Sequence, residues 1–285
     1  MAGQRLHLIH NSSSGAFMRG LELGELREKL EAAGWKITSE TDLEGDNLPD
    51  PAGLAGRADA LAIAGGDGSI KAVLNALAGQ EGAPPVLILP CGTANLLARH
   101  IHETPVLDTI IQRSASAAVR LLLLGESNGH VFAVAAAVGV SPALVKFCED
   151  IRKLGFWGRT QRSLASLKVG LRSMYRQPFL ADIDGEPAPR RATAIYVTCP
   201  DSPVTEGQFL VFGGRMRNVA DLLSGLAMAA LPVVDQSGRS WTVETRRLQI
   251  RSMRPLPVIL DGEPLTLESP LTLEFGRKCV EVIVT

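Results

Sequence analysis

Residues 61–77, LAIAGGDGSIKAVLNAL, predict a strand, a glycine turn and a helix in that order. Leu61–Ala64 is a short apolar run of the kind found in central parallel strands. In Gly65–Gly68, three glycines let a ligand approach the backbone closely. Ser69 is a candidate N-cap for the helix, and apolar residues recur at helical spacing across Ile70–Leu77. Because the first N–H groups of such a helix bind anions, this stretch predicts a phosphate site.

Asp67 is an acidic residue at the centre of this predicted phosphate site. A carboxylate beside phosphates would repel them unless a divalent cation lay between the two. Asp-Gly pairs are also common in turns that have no chemical role. The turn by itself therefore leaves two interpretations open, an ordinary turn or a site for a nucleotide with its metal ion. The neighbouring segments favour the second.

Two other predicted strands also end in polar turns that contain glycine. Val86–Leu89 is a second buried-strand run and leads into Pro90–Asn95, after which the apolar spacing predicts another helix. Leu6–Ile9, the first strand, leads into Asn11–Gly15. Because the carboxyl ends of parallel strands meet at one edge of a sheet, we expect the three turns to form one ligand site there.

The composition is that of a globular protein with a sizeable core and no bias towards a polyanionic partner. The 285 residues are 46% hydrophobic and carry a net charge of −1, which argues against nucleic-acid binding. The four cysteines are scattered without a C-x-x-C pair, which argues against a zinc site or a disulfide framework. This cysteine pattern, with no signal peptide before the first strand, predicts a cytoplasmic protein.

The order of the predicted elements indicates two domains of different class. Residues 1–122 alternate strands with helices, including helices over Phe17–Ala33 and Thr109–Val119, which predicts a doubly wound α/β domain with a parallel sheet. Residues 123–285 begin with a hairpin around an Asn-Gly turn and later consist of short strands separated by Gly/Pro turns, which predicts a mainly antiparallel β domain. The last two strands are predicted over Leu271–Phe275 and Val280–Val284.

Three ordered motifs resemble the diacylglycerol kinase catalytic family, which includes bacterial lipid kinases and sphingosine-type kinases. The motifs are Ala64–Ser69 (AGGDGS), Leu89–Asn95 (LPCGTAN) and a late Asp-Gly-Glu sequence. Thr41–Asp46 (TDLEGD) also resembles the family's T-x-x-x-G-D stretch. The resemblance covers most of the chain. It implies an α/β ATP-binding domain over residues 1–122, followed by a β-sandwich over residues 123–285 that takes a lipid substrate.

The resemblance implies ATP- and Mg²⁺-dependent transfer of the γ-phosphate to a lipid hydroxyl, a reaction that depends on positioning and charge neutralisation. Mg²⁺ would be oriented by Asp67, directly or through water, which makes Asp67 a catalytic residue as well. For two of the binding residues, Asn11 and Asn95, the alternative is that their amides only stabilise their own loops. The residues implied in ATP binding are Asn11, Thr41, Gly65, Gly66, Asp67, Gly68, Ser69, Thr93 and Asn95.

Two copies of the sequence Asp-Gly-Glu-Pro compete for the role of catalytic base, which accepts the proton of the attacking hydroxyl. They are Asp184–Pro187 and Asp261–Pro264, and both have the pattern of a β-hairpin turn. The family's catalytic Asp-Gly-Glu lies near the end of the chain. The resemblance therefore implies Glu263 as the base rather than Glu186.

The chain departs from the family pattern at several positions. Ser12 replaces the proline of the family's first turn, and Ser69 stands where threonine is common. Leu96 stands where many members have aspartate. The family's acidic-Gly-x-Leu segment, implicated in a structural metal site, has its nearest match at Glu206–Phe209. Glu206 is therefore the candidate for a second metal ligand.

A basic segment, Arg152–Arg176, contains no acidic residue. Lys168, Arg172 and Arg176 recur at helical spacing on one face, with leucines on the other. Such a helix predicts peripheral contact with an anionic inner membrane surface, where each basic residue adds about 1 kcal/mol. An ordinary surface helix with solvated charges is the alternative.

The leading hypothesis is a lipid kinase, and two alternatives stay open. An NAD kinase-like enzyme is one, because that related fold also uses GGDG, although the P-x-G-T-x-N stretch argues against it. A lipid- or nucleotide-binding protein that kept the fold without catalysis is the other, suggested by the departures at Ser12 and Glu206. The sequence specifies neither the lipid nor the oligomeric state.

Overall fold

The computed structural model describes residues 4–43, 57–102, 104–140, 178–200, 207–215 and 240–285. Glu206 and the basic segment Arg152–Arg176 lie outside the described residues. The chain divides into two compact units, and a single boundary at residue 122 does not capture the return of its last segment to the first unit. The first unit comprises Met1–Gly125, Pro200–Gly207 and Gly276–Thr285, and the second comprises Glu126–Cys199 and Gln208–Phe275.

The first unit contains four strands and five helices within the described residues, and two further strands are shared with the second unit. The four strands are β1 (Gln4–His10), β2 (Trp35–Asp42), β3 (Ala60–Gly65) and β4 (Val86–Pro90). The helices are α1 (Gly15–Met18), α2 (Leu23–Ala32), α3 (Asp67–Leu77), α4 (Leu96–Ile101) and α5 (Leu107–Ser114). The shared strands are β5 (Ala118–Ser127) and β16 (Leu271–Val284).

The first unit is built on a parallel sheet that is covered on both faces. Its strand order is β2-β1-β3-β4, and the end of β16 continues it, with Val282 beside Val86. Successive side chains of a strand point to opposite faces. Leu6 and Ala62 pack in one core with α2 and α5. Ile63 is next to Ala62 in the strand and therefore points to the opposite face of the sheet. It is equally buried, and α3 packs against its strand. The predicted doubly wound α/β domain is thus confirmed.

The helix predicted over Phe17–Ala33 is wrong in one respect, since it consists of two helices, α1 and α2. Gly20 lies between them with a φ of 105°, which no helical residue adopts. The predicted end at Ala33 is nearly right, because α2 ends at Ala32 and the chain turns at Gly34, whose φ is 103°.

The helix predicted over Thr109–Val119 is too long, because α5 ends at Ser114. The Ser114 hydroxyl donates to the Ile111 carbonyl at 2.7 Å and accepts the indole N–H of Trp35 at 2.7 Å. The chain then enters β5, where β-branched residues are favoured.

No helix in the described part of the chain has the length and apolar run needed to cross a bilayer.

The second unit contains two antiparallel sheets, as predicted. One has the order β12-β11-β10-β7-β14-β15, and the other joins the start of β16 to β13, β8 and β9. Their strands are β6 (His130–Phe132), β7 (Ala135–Val138), β8 (Phe179–Ile183), β9 (Arg190–Ala192), β10 (Ala194–Thr198), β11 (Phe209–Gly214), β12 (Ser240–Thr245), β13 (Arg247–Arg251), β14 (Leu256–Leu260) and β15 (Glu263–Leu267).

Aromatic side chains pack between these two sheets. The ring of Phe209 on β11 lies 5.1 Å from that of Phe275 on β16 and 5.5 Å from that of Phe132 on β6. Rings at these separations stabilise a core beyond the area that they bury. The second unit is therefore the sandwich that the family resemblance implied. The prediction of two separate final strands is wrong, because β16 is continuous through Gly276, which has a φ of 77°.

Candidate active site

Three polar turns meet at the carboxyl ends of β1, β3 and β4, as the sequence predicted. The Asn11 N–H donates to the Ala64 carbonyl at 3.1 Å, and the Ala16 N–H donates to the Cys91 carbonyl at 2.8 Å. Together the turns line a cleft of about 610 Å³, a volume typical of small-molecule sites. The predicted binding residues that line it are Asn11, Gly66, Gly68, Ser69 and Thr93.

The two glycine turns pack backbone against backbone. A Cβ atom at Gly92 would lie 2.6 Å from the Cα of Gly66, and one at Gly65 would lie 2.7 Å from the Cβ of Ser69. Both distances are shorter than real Cβ contacts, so a side chain at either glycine would force the backbone to shift. Peptide groups therefore form this wall of the cleft, where their N–H groups can meet a phosphate.

The helix that follows the first glycine turn begins earlier than predicted. Helix α3 starts at Asp67, with Gly66 as its N-cap, so the assignment of Ser69 as N-cap is wrong. Ser69 lies in the first turn instead, and its hydroxyl accepts a hydrogen bond from the Asn11 amide at 2.9 Å. The first N–H groups of an α-helix have no partner within the helix and carry its positive dipole end. The residues that line the cleft at this point are thus suited to an anion.

The side chains of Asn11 and Asn95 are hydrogen-bonded to their own loops. The Asn11 carbonyl oxygen accepts the N–H of Ser13 at 3.0 Å and its hydroxyl at 2.6 Å. The Asn95 carbonyl oxygen accepts the Gly92 N–H at 2.7 Å, and its amide donates to the carbonyls of Pro90 and Gly92. Both asparagines shape the turns of the cleft, and direct contact with a nucleotide stays a prediction.

The sequence did not single out a hydroxyl that lines the cleft, that of Ser14, or a cation next to the lining residue Gly15, that of Arg19. Ser14 lines the cleft, is 8% exposed, and has an Oγ without a hydrogen-bond partner among the described residues. Nη1 of Arg19 and Oγ1 of Thr93 lie 3.0 and 3.1 Å from the position that a Cβ atom would take on Gly15. Glycine at this position therefore lets a guanidinium and a hydroxyl approach the same wall.

Thr41 lies near the end of β2 and is paired with a buried histidine. Its Oγ1 is hydrogen-bonded to Nε2 of His7 at 3.1 Å, and Nδ1 of His7 is hydrogen-bonded to Oγ of Ser39 at 2.6 Å. Burial lowers the pKa of His7, which favours the neutral ring. In the part of the chain that is described, Leu43 rather than Thr41 lines the cleft. The role of Thr41 as a nucleotide ligand stays a prediction.

The carboxylate of Asp67 lies between the two glycine turns. Its Oδ1 accepts the N–H of Leu96, the first residue of α4, at 2.6 Å. Burial raises the pKa of Asp67, and hydrogen bonds from the N–H groups of Leu96, Leu97 and Asn95 act in the opposite direction. The acid that the sequence assigned to a metal ion is thus engaged with the backbone of the next turn.

The cleft fits a phosphate group better than a metal ion held by protein ligands alone. Glycine backbone and the unpartnered hydroxyl of Ser14 suit phosphate oxygens. Across the described ranges, no three His, Cys, Asp or Glu side chains come together as a metal site. Mg²⁺ is usually held by one or two carboxylates together with substrate phosphates. Its binding here would therefore depend on the nucleotide, with Asp67 as the carboxylate at the turns.

In the second unit, the late Asp-Gly-Glu sequence forms the tight turn between β14 and β15. Asp261 and Gly262 have φ values of 50° and 90°, and Leu260 pairs with Glu263 across the turn. The Asp261 carboxylate accepts three consecutive backbone N–H groups, from Ala133 at 2.7 Å, Val134 at 2.8 Å and Ala135 at 2.9 Å. Glu263, which is half-buried, is the first residue of β15. It therefore directly follows a turn that is anchored to the sheet.

The competing acid, Glu186, is held in an ion pair. The Arg190 guanidinium donates to both of its carboxylate oxygens, through Nε at 2.6 Å and through Nη2. The guanidinium also lies 5.1 Å from the centre of the Trp241 ring. A carboxylate bound in this way has a structural role, and the role of Glu263 as the base stays a prediction.

Comparison with known proteins places these features in a family. A model of the diacylglycerol kinase catalytic domain matches residues 5–128. The diacylglycerol kinase of Bacillus subtilis (strain 168) is 26% identical over 284 residues, which cover 91% of this chain and 90% of that protein. The diacylglycerol kinase of Staphylococcus saprophyticus is 30% identical over 138 residues, which cover 48% of this chain and 45% of that protein. Residues 5–128 thus match the diacylglycerol kinase catalytic family, and the chain as a whole is similar to these kinases.

The same fold occurs in a solved structure. The crystal structure of a diacylglycerol kinase from Bacillus anthracis str. Sterne aligns with 100% of this chain and 98% of its own, with a TM-score of 0.68 and 17% sequence identity. A second structure from that organism gives a TM-score of 0.72 at 19% identity, with the same coverage. At this identity the likeness establishes the fold alone.

Sequence reasoning missed several residues of the cleft and of the late turn. Ser14, Gly15 and Gly92 belong to turns that the sequence did single out, and their position directly after predicted strands was the available signal. Within the serine run, only its burial distinguishes Ser14. Asp261 was noticed as part of a turn, whereas its three backbone partners lie more than 120 residues earlier.

Proposed function

We propose that this chain is an ATP- and Mg²⁺-dependent lipid kinase, which transfers the γ-phosphate to a hydroxyl of a diacylglycerol-like or sphingoid-like lipid. The match of residues 5–128 to the diacylglycerol kinase catalytic domain and the similarity to the B. subtilis diacylglycerol kinase support a kinase with a lipid alcohol as acceptor. The observation that carries the proposal is the cleft at the start of α3, where the turns at Gly66 and Gly92 touch backbone to backbone. Such a wall exposes peptide N–H groups to a phosphate chain.

The first unit would bind the nucleotide. The N–H groups of Gly65–Ser69 would hold phosphate oxygens, and the hydroxyls of Ser14 and Thr93 would donate to them. The Arg19 guanidinium beside Gly15 would offset part of the phosphate charge. ATP supplies the phosphoryl group, and Mg²⁺ neutralises the charge that develops on it.

The second unit would supply the base. The Glu263 carboxylate would accept the proton of the lipid hydroxyl as that oxygen attacks the γ-phosphorus, and ADP would leave. Its place in the family's Asp-Gly-Glu motif supports this role. The hydrogen bonds of Asp261 would hold the turn before Glu263 in place.

The lipid would be met at a membrane surface. On sequence alone, Arg152–Arg176 would contact anionic lipids as a basic amphipathic segment, and the protein would act in the cytoplasm as a peripheral enzyme of lipid metabolism. Removing the positive charges of Lys168, Arg172 and Arg176 should then weaken binding to anionic vesicles and leave activity on detergent-dispersed lipid intact.

The direct test is phosphate transfer by the purified full chain. It should be incubated with γ-labelled ATP, Mg²⁺ and a total bacterial lipid extract in detergent micelles, with EDTA as the control. We expect label in the organic phase that depends on Mg²⁺, and mass spectrometry of that phase identifies the lipid. Label that stays in a water-soluble nucleotide product would contradict the proposal in favour of an NAD kinase-like enzyme. Nucleotide binding without turnover on any lipid would contradict it in favour of a binding protein.

A further inference from the structure

We propose that Asp67 is a positioning residue, which fixes the second glycine turn by accepting hydrogen bonds from the start of α4. The motifs assigned this acid to a metal ion, whereas its Oδ1 lies 2.6 Å from the backbone nitrogen of Leu96. The consequence for phosphate transfer rests on the proposed function. The structural part of the inference can be tested without any ligand.

Helix α4 has no cap of its own. Its N-cap residue, Asn95, adopts the left-handed conformation with a φ of 51° and makes no side-chain capping hydrogen bond. The Asn95 side chain points back to Gly92 and Pro90 instead. The first N–H groups of a helix need an acceptor. Asp67, from the preceding crossover, provides that acceptor in place of a local serine, threonine or aspartate.

One carboxylate oxygen of Asp67 is engaged with the backbone of α4, since Oδ1 accepts the Leu96 N–H at 2.6 Å. Leu96 adds no second carboxylate at this point, because its side chain is apolar.

The turn held in this way has little freedom of position. The Cα of Gly66 lies so close to Gly92 that a Cβ atom on Gly92 would be 2.6 Å from it. Thr93, which lines the cleft, belongs to the same turn. Releasing Leu96 would let this turn move away from α3. We call the hydrogen bond from the Leu96 N–H to the Asp67 carboxylate the clamp. Since misplacement by about 1 Å is enough to weaken a site strongly, nucleotide affinity should depend on the clamp even when no metal ion is present.

The test compares Asp67→Ala, which removes both acceptor oxygens, with Asp67→Asn, which keeps one. Asp59→Ala is the matched control, because the Asp59 carboxylate also accepts a backbone N–H, that of Arg5 at 2.8 Å. Asp59 lies at the opposite edge of the sheet, next to the start of β1 and β3. Amide hydrogen exchange at residues 95–97 is measured first. ATP affinity is then measured by calorimetry on the full chain, once with excess Mg²⁺ and once with EDTA.

We expect Asp67→Ala to speed exchange at residues 95–97 by about tenfold or more and to weaken ATP binding by about tenfold in both media. Asp67→Asn should stay within about threefold of wild type, because its amide oxygen still accepts the Leu96 N–H. Asp59→Ala should change neither quantity. If Asp67→Ala lowers the melting temperature too far for these measurements, the ATP affinity of Asp67→Asn is compared with that of wild type in excess Mg²⁺ and in EDTA. That comparison still distinguishes a positioning role from a metal ligand.

Two results would overturn the inference. Unchanged exchange at residues 95–97 in Asp67→Ala would show that no clamp exists. Weaker binding of Mg·ATP by both variants, with metal-free ATP bound as well as before or more tightly, would assign Asp67 to the metal ion. If wild-type protein neither binds ATP nor transfers phosphate, the proposed function fails, while the exchange measurement still supports or overturns the clamp.

Discussion

The chain contains the tetrapeptide Asp-Gly-Glu-Pro twice, and the two copies form different structures within the second unit. At Asp261–Pro264 both turn residues have positive φ, and the aspartate anchors the turn to three backbone N–H groups. At Asp184–Pro187 only the glycine has positive φ, at 82°, and the aspartate side chain is exposed. There the glutamate carries the structural contact, through its ion pair with Arg190.

The comparison shows that the surroundings of a motif, rather than its letters, decide which acid is structural. At Asp261–Pro264 the aspartate anchors the turn, whereas at Asp184–Pro187 the glutamate makes an ion pair with Arg190. The partners differ because Ala133 and Val134 lie between β6 and β7 and Ala135 begins β7, so that three consecutive N–H groups donate to the Asp261 carboxylate. Near Glu186 the available partner is a cation on the same hairpin. The predictions below test this division of roles.

The largest effect should separate the two glutamates. Glu263→Gln should lower phosphate transfer by about 10²–10⁴-fold, because the amide cannot accept the proton of the lipid hydroxyl. Glu186→Gln should leave transfer within about twofold, since its carboxylate serves the ion pair with Arg190. Label transfer into lipid at saturating ATP measures both. Equal losses in the two variants would remove the assignment of the base.

The next effect should separate the two aspartates. Asp261→Ala should lower the free energy of unfolding by about 3 kcal/mol, because three N–H groups lose a charged acceptor. Asp261→Asn should lose only about half as much unfolding free energy as Asp261→Ala, because asparagine tolerates the left-handed conformation and keeps one acceptor oxygen. Asp184→Ala should change stability by at most about 0.5 kcal/mol, as an exposed residue. Urea denaturation followed by circular dichroism measures all three, and similar midpoints for Asp261→Ala and Asp184→Ala would contradict the comparison.

Much of the first unit could be predicted because its signals are local. An apolar run, a glycine turn and a helical repeat lie within residues 61–77, and each indicates its own element. The first and last residues of the helices were harder to predict from the sequence. The break at Gly20 depends on a φ of 105° that glycine permits but does not require. Likewise, the cap of α3 is Gly66 rather than Ser69 because the chain turns before the serine.

The candidate site was only partly accessible from sequence, because its decisive contacts join distant segments. Motifs identified the turns, and the parallel order of strands predicted that they would meet. No local pattern shows that Asp67 accepts the N–H of Leu96, 29 residues later, or that Asp261 accepts that of Ala133, 128 residues earlier. Such contacts depend on which strands become neighbours, and a single sequence does not state that.

A smaller effect should show what the two hairpins share. Gly262 and Gly185 both have positive φ, and a Cβ on either would meet no atom within 4 Å. Alanine at either position should therefore cost about 1–2 kcal/mol of unfolding free energy, from backbone strain alone. Transfer should fall only in Gly262→Ala, since that turn precedes Glu263. A stability loss that differs by more than about 1 kcal/mol between the two variants would mean that the hairpins differ in backbone freedom as well as in contacts.

The smallest effect concerns the ion pair between Glu186 and Arg190. Arg190→Gln breaks its bond to Glu186 and removes the cation from the Trp241 ring, so unfolding should become easier by about 0.5–1 kcal/mol. Added salt should reduce the difference from wild type, because the pair is partly exposed. Phosphate transfer should not change, and Arg190→Lys should fall between the two in stability. If Arg190→Gln instead lowered transfer as far as Glu263→Gln, the arginine would be holding a catalytic carboxylate, and the earlier of the two hairpins would contain the base.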